Sequence, residues 1–190
     1  MNEFSDFIEL DDKIVYNEWV KWKHFGIVDE PEWLREFIRA IAALFGHCKK
    51  CTALSGCYFA MYNKPKHPMH FDCHCFLSKI SPPVADFDVT AYCDIKKVST
   101  YIWDIDKTKG KIFKSLGYTE EDSYLIKCEL ERQAVKKYAN GDYTLKELNN
   151  YGQTISITVE INNKKFKTGW IIKPKGLIKN TTPFCGKVDD

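Results

Sequence analysis

The sequence predicts an α+β fold. A small front unit of helices and loops, about residues 1–80, precedes helices packed on an antiparallel sheet of three or more strands over residues 93–190. Three observations lead there. Residues 154–161 alternate apolar and polar side chains without a break and end at Asn162-Asn163, the pattern of a strand entering a tight turn. Residues 119–139 carry apolar side chains near helical spacing behind an acidic opening. Five of the eight cysteines and four of the five histidines fall between His47 and Cys75, which marks the front as a unit held by chemistry more than by a core.

That stretch reads His47-Cys48-Lys-Lys-Cys51 and then, after 18 residues, His70-Phe-Asp-Cys73-His74-Cys75. Two thiolates on one tight turn grip a cation, and a second returning pair closes the tetrahedron that Zn²⁺ prefers. The candidate ligands are Cys48, Cys51, His70 and one or both of Cys73 and Cys75, which makes the front a zinc-knuckle helical module. His67 precedes a proline and reads as a loop residue competing for the same role. Free or disulfide-bonded cysteines are the plainer alternative. Four protein ligands leave no open position for water, so a metal here is expected to be structural. Zinc deaminases place a His-x-Glu before Pro-Cys-x-x-Cys; here the order is reversed, and no Glu lies between residues 37 and 119.

Along the front, residues 13–25 space Val15, Trp19 and Trp22 as a helix would, with Gly26 as its stop. Asp29-Glu30-Pro31 opens a second helix to about Phe45, with one broad apolar face and Gly46 after it. Residues 1–12 alternate acids with Phe4, Phe7, Ile8 and Leu10, as a docking arm or a short strand would. Leu54–Phe59 reads as a turn and short hairpin, and Pro65–His70 as an extended loop. Ser81-Pro82-Pro83 marks a boundary within 78–92.

In the second half, short helices are expected at Ile95–Trp103 and Lys111–Leu116, the latter closed by Gly117. Thr119 caps a longer helix reaching Ala139, with Leu125, Cys128, Ala134, Val135 and Tyr138 as its inward stripe. The Asn162-Asn163 turn sets a register: Val159 opposite Phe166, Ile157 opposite Thr168, Ile155 opposite Trp170. The polar face then pairs Glu160 with Lys165 and Thr158 with Lys167. Pro174-Lys-Gly176 turns into a third strand, Leu177–Phe184.

Charge is divided unevenly over a net +2: residues 1–36 hold ten acids and four bases, and residues 161–180 hold six lysines and no acid. The acidic front can pair with the chain's own basic back; otherwise the basic strip is a solvated hairpin face or a surface for the phosphates of RNA or DNA. Apolar runs are too short to span a membrane, and no secretory leader is expected at the N-terminus. Cysteines without a leader favour metal or free thiols over disulfides. The expected setting is the cytoplasm or a virion.

Cys48, Cys51, Leu54, Gly56, Phe59, Pro68, His70, Cys73 and Cys75 together resemble the cysteine-histidine segment of phage head-morphogenesis proteins of the Mu protein F type. The long helical region that precedes it there is reduced here to about 45 residues. Lys109-Gly110-Lys111 with Phe113, Leu116-Gly117-Tyr118, Tyr151-Gly152-Gln153, Thr168-Gly-Trp170-Ile171 and Thr181-Thr182 resemble a domain at the ends of phage head proteins and polymorphic toxins. Its layout is similar to the barnase–EndoU–colicin–RelE ribonucleases. These resemblances imply a phage or prophage origin, a head component or immunity protein as partner, and a metal-independent endoribonuclease activity as one function. No histidine lies beyond position 74, so such chemistry in the second half would rest on Lys111, Thr168 and Thr182. The alternative is a non-enzymatic interaction protein with a structural zinc.

Overall fold

The computed structural model describes residues 19–24, 48–69, 73, 75–80, 89–103 and 108–188. Its architecture is α+β, with two sheets and three α-helices among the described residues. The expected arm at 1–12, the helix at 31–45, the breaker at 81–83 and the histidines 47, 70 and 74 lie outside the described residues.

The front sheet has the order β2-β1-β3, all antiparallel, from β1 (Trp19–His24), β2 (Tyr58–Ala60) and β3 (Cys75–Ile80). The helix expected over 13–25 is therefore corrected to a strand across 19–24. Trp19, Val20 and Trp22 are all buried in this central strand. The alternation of buried Val20 and Trp22 with the half-buried Lys21 and Lys23 spans only four residues, and tryptophans three apart imitate a helix over so short a run. β2 does not fold back on its neighbour as a local hairpin; it pairs with β1, Val20 opposite Phe59. Helix α1 (Lys49–Leu54) precedes β2, and Gly56, at φ +78°, makes the turn between them.

The second sheet has the order β4-β8-β7-β6-β5. Strands β5 (Thr144–Asn149), β6 (Gly152–Ile161), β7 (Lys164–Ile172) and β8 (Leu177–Lys187) form an antiparallel meander. The short β4 (Thr90–Tyr92) adds in parallel at the β8 edge. The β6–β7 register is the expected one at every pair: Val159–Phe166, Ile157–Thr168, Ile155–Trp170, Glu160–Lys165 and Thr158–Lys167. Asn162 and Asn163 sit at φ 49° and 60°, the left-handed pair that a two-residue hairpin needs. At the β7–β8 bulge, a Cβ on Gly169 would lie 2.8 Å from both the Thr181 hydroxyl and the Thr182 methyl, so the strands close only around glycine.

Between the sheets' strands come a π-helical turn (Lys97–Tyr101), helix α2 (Thr108–Ser115) and helix α3 (Ser123–Ala139). Thr119 and Asp122 form a capping box ahead of α3. The inward stripe of α3 is Ser123, Ile126, Leu130, Ala134 and Tyr138. This corrects the expected stripe: Leu125 is largely exposed, because the 126/130/134/138 row is the one that faces the sheet. One buried cluster runs through front and rear alike. The Tyr138 hydroxyl on α3 donates to the Tyr58 carbonyl on β2 at 2.6 Å, and its ring meets Trp19 edge-on. The Lys175 amide donates to the Gly56 carbonyl at 3.1 Å. Among the described residues no helix is long and apolar enough to cross a membrane.

Candidate metal centre

Cys48 is the N-cap of α1, and Cys51 follows on its first turn. A helical spacing of three puts both side chains on one face. The chain then crosses to β2 and returns through the 61–69 loop, so that Cys73 and Cys75 arrive at the start of β3. The Sγ atoms of Cys51, Cys73 and Cys75 all lie within 4.8 Å of one another, and Cys51 and Cys73 are 3.8 Å apart. A disulfide would need about 2.05 Å. A ZnS₄ tetrahedron with bonds of about 2.3 Å has edges of about 3.8 Å. The spacing therefore fits shared ligation of one cation, and Cys51, Cys73 and Cys75 are placed to bind a metal ion. Cys48 lies beside the Cys51 thiol and interacts with it.

The electrostatics have the same cause. Burial pushes the Cys51 thiol far above the ordinary range, and its neighbours Cys75, Cys48 and Cys73 push it further. Cys75 is pushed up to about 11, chiefly by burial, while the Trp22 indole N–H pulls the other way. For Cys73, burial raises the pKa, but hydrogen bonds from the backbone at Met69 and Cys75, together with those from the Cys51 and Cys75 thiols, outweigh it and hold the thiol below its usual value. Thiols this crowded can ionise together only around a cation, whose charge offsets their mutual repulsion.

An outer layer orients these groups. The Trp22 Nε1 is buried with no nitrogen or oxygen acceptor, and the Cys75 sulfur is the group its dipole acts on. His67 Nε2 donates to the Cys75 carbonyl at 2.9 Å, and its ring packs edge-on against Trp22. His67 is thus a support for the cluster and not a competing ligand. Sequence reasoning missed both roles: Trp22 reaches Cys75 only because β1 is a strand beside β3, and no local motif announces that.

The proposed catalytic residues fare differently. Lys111 is exposed on α2. Thr168 is fully buried; its hydroxyl donates to the Ile157 carbonyl at 2.9 Å and accepts from Trp170 Nε1 at 2.8 Å. That hydroxyl is occupied inside the core by these two bonds. Thr182, half-buried on β8 opposite Gly169, donates to the Phe184 carbonyl at 3.0 Å. Trp170 is buried, as the register required. Comparison with family models, with curated proteins and with solved structures gives no match.

Proposed function

We propose that Cys48, Cys51, Cys73 and Cys75 hold a structural Zn²⁺, and that the chain is a phage-type protein acting by binding rather than catalysis. The mutual approach of the Cys51, Cys73 and Cys75 thiols carries this reading; Cys48 lies outside that mutual group and enters as the fourth ligand through its contact with Cys51. Two ligand pairs, from α1 and from the start of β3, would be tied by one cation, and four thiolates would leave no position for substrate or water. The metal would supply cross-linking free energy to a front sheet of three short strands. Both Cys73 and Cys75 enter the set. The resemblance to head-morphogenesis proteins points to a head component as partner. The burial of Thr168 favours the non-catalytic reading over an endoribonuclease that would depend on it.

Two measurements test this. Metal analysis of the purified chain is expected to give one zinc per molecule, and Co²⁺ exchange the absorption of a thiolate-ligated ion. Cys51→Ala and Cys73→Ala should lose the metal, whereas Cys185→Ser, at an exposed site, should keep it. Incubation with total RNA should leave the RNA intact. Cleavage that survives a chelator and disappears in Lys111→Ala would overturn the non-catalytic reading in favour of the ribonuclease.

A further inference from the structure

A cleft of about 500 Å³ opens beside the cysteine cluster, with Cys48 in its wall. Four lysines line it: Lys50 from α1, Lys64 and Lys66 from the 61–69 loop, and Lys146 from β5. No carboxylate is among its lining residues, and among the described residues none of the four lysines forms an ion pair. Its remaining surface is mainly apolar, with Met69, Leu145 and Leu148 prominent. A second cleft of about 480 Å³, between α3 and the β6–β7 hairpin, makes the contrast. There Glu129, Asp142 and Glu160 join the wall, and Arg132 and Lys137 are paired with Glu129 and Asp142. Of the two, the first presents four lysines around an apolar surface with no carboxylate in its lining.

A specific device builds that surface. In a regular strand Leu145 and Leu148 would point to opposite faces, because side chains alternate. The β5–β6 pairing slips between these two residues, and the bulge brings Leu145, Lys146 and Leu148 to one cleft. The buried Gln153 side chain holds it, donating to the Lys146 carbonyl at 2.9 Å. The opposite wall is set by α1 and the 61–69 loop.

We propose that this cleft binds a nucleotide unit, its phosphate held by Lys50, Lys64, Lys66 and Lys146 and its base lying on Met69, Leu145 and Leu148. The cleft volume lies within the range for small ligands. An apolar surface ringed by ammonium groups matches a flat base attached to an anion better than it matches an acidic peptide, which has no apolar plane to bury. The unit can come from single-stranded nucleic acid or from a free nucleotide. The site is independent of which metal the cysteines hold.

The test uses the full chain after its metal content is measured, so that failure of the metal reading registers separately. Fluorescence anisotropy follows a labelled 12-nucleotide single-stranded RNA (about 12, to exceed one site), with adenosine triphosphate and a poly-glutamate peptide as competitors. The paired substitution Lys64→Glu/Lys66→Glu is expected to weaken RNA binding by on the order of tenfold or more and to lower the salt slope by about 1–2. Lys164→Glu/Lys165→Glu, on the β6–β7 hairpin, should leave affinity unchanged. Competition by the triphosphate at equal phosphate concentration identifies a free nucleotide as the natural source; its failure, with RNA still bound, identifies the strand. Undiminished binding in the Lys64/Lys66 variant, equal competition by poly-glutamate, or no binding of either nucleotide probe would overturn the proposal. Circular dichroism of each variant confirms that the fold is retained.

Discussion

Thr168 is where a catalytic and a structural reading of one hydroxyl part company, and the difference is measurable. Thr168→Val keeps the shape and removes the oxygen. The bond to the Ile157 carbonyl (2.9 Å) is lost, and the Trp170 indole N–H (2.8 Å) loses its acceptor in a fully buried setting. The first loss costs about 1 kcal/mol and the second about 1–3 kcal/mol. The new methyl returns roughly 1 kcal/mol of apolar burial. A net destabilisation of about 1–3 kcal/mol is expected, read as a lower urea midpoint at unchanged m-value. The origin is isolated by a cycle with Trp170→Phe. With no indole to orphan, the same Thr→Val change should cost less by about 1–3 kcal/mol. A Thr168→Val protein as stable as the parent, or a cycle additive within about 0.5 kcal/mol, would refute the reasoning. A hydroxyl that served a substrate would instead change an activity and leave the urea midpoint where it was.

Three further outcomes are expected. Tyr138→Phe removes the bond from α3 to the Tyr58 carbonyl in the core and should cost about 1–3 kcal/mol in urea unfolding; a single transition must persist, because front and rear share one cluster, and a split into two would count against that shared core. Cys57 and Cys93 are each pushed up to about 12, both by burial first, Cys93 also by the Glu131 carboxylate and Cys57 against the pull of Lys173. An unfolded thiol titrates near about 8.5, so between about pH 9 and 12 the unfolded chain has released protons that the native chain keeps. Stability must fall as pH rises through that window, with no slope from these groups below about pH 8; the Cys57→Ala/Cys93→Ala chain should show a flatter decline, and an identical one would contradict the assignment. Chelator treatment of the metal-loaded protein should lower the thermal midpoint and expose Cys51 and Cys75 to alkylation, read by mass spectrometry; thiols that stay protected after metal removal would mean that packing, not the cation, closes the cluster.

The rear hairpin was legible from residues alone because its signals are local and agree. Strict alternation over 154–161 and two adjacent asparagines allow one register, and the other face then pairs Glu160 with Lys165. The cap at Thr119 and the stop at Gly117 are likewise short-range. The metal centre was legible in part. Spacing of cysteines reveals that two pairs exist, but Cys73 and Cys75 are only two residues apart, and whether one or both turn inward depends on where β3 begins.

The strand at 19–24 reads as a helix because Trp19 and Trp22 stand three apart and the alternation of Val20 and Trp22 with Lys21 and Lys23 is too short to outweigh that spacing. β4 and β5 went unpredicted because they are edge strands, short and mostly polar outside the sheet, and pairing partners distant in sequence define them. The same holds for the support of Cys75 by Trp22 and His67, and for the lysine cleft, whose four side chains come from three separate elements. Residue order determined the local events in this protein: turns, caps, one register and the presence of ligand pairs. Only the tertiary packing decided which groups meet, within each sheet and between front and rear through α1, α3 and the 174–176 turn, because burial and electrostatics act through space, between atoms that the chain itself keeps far apart.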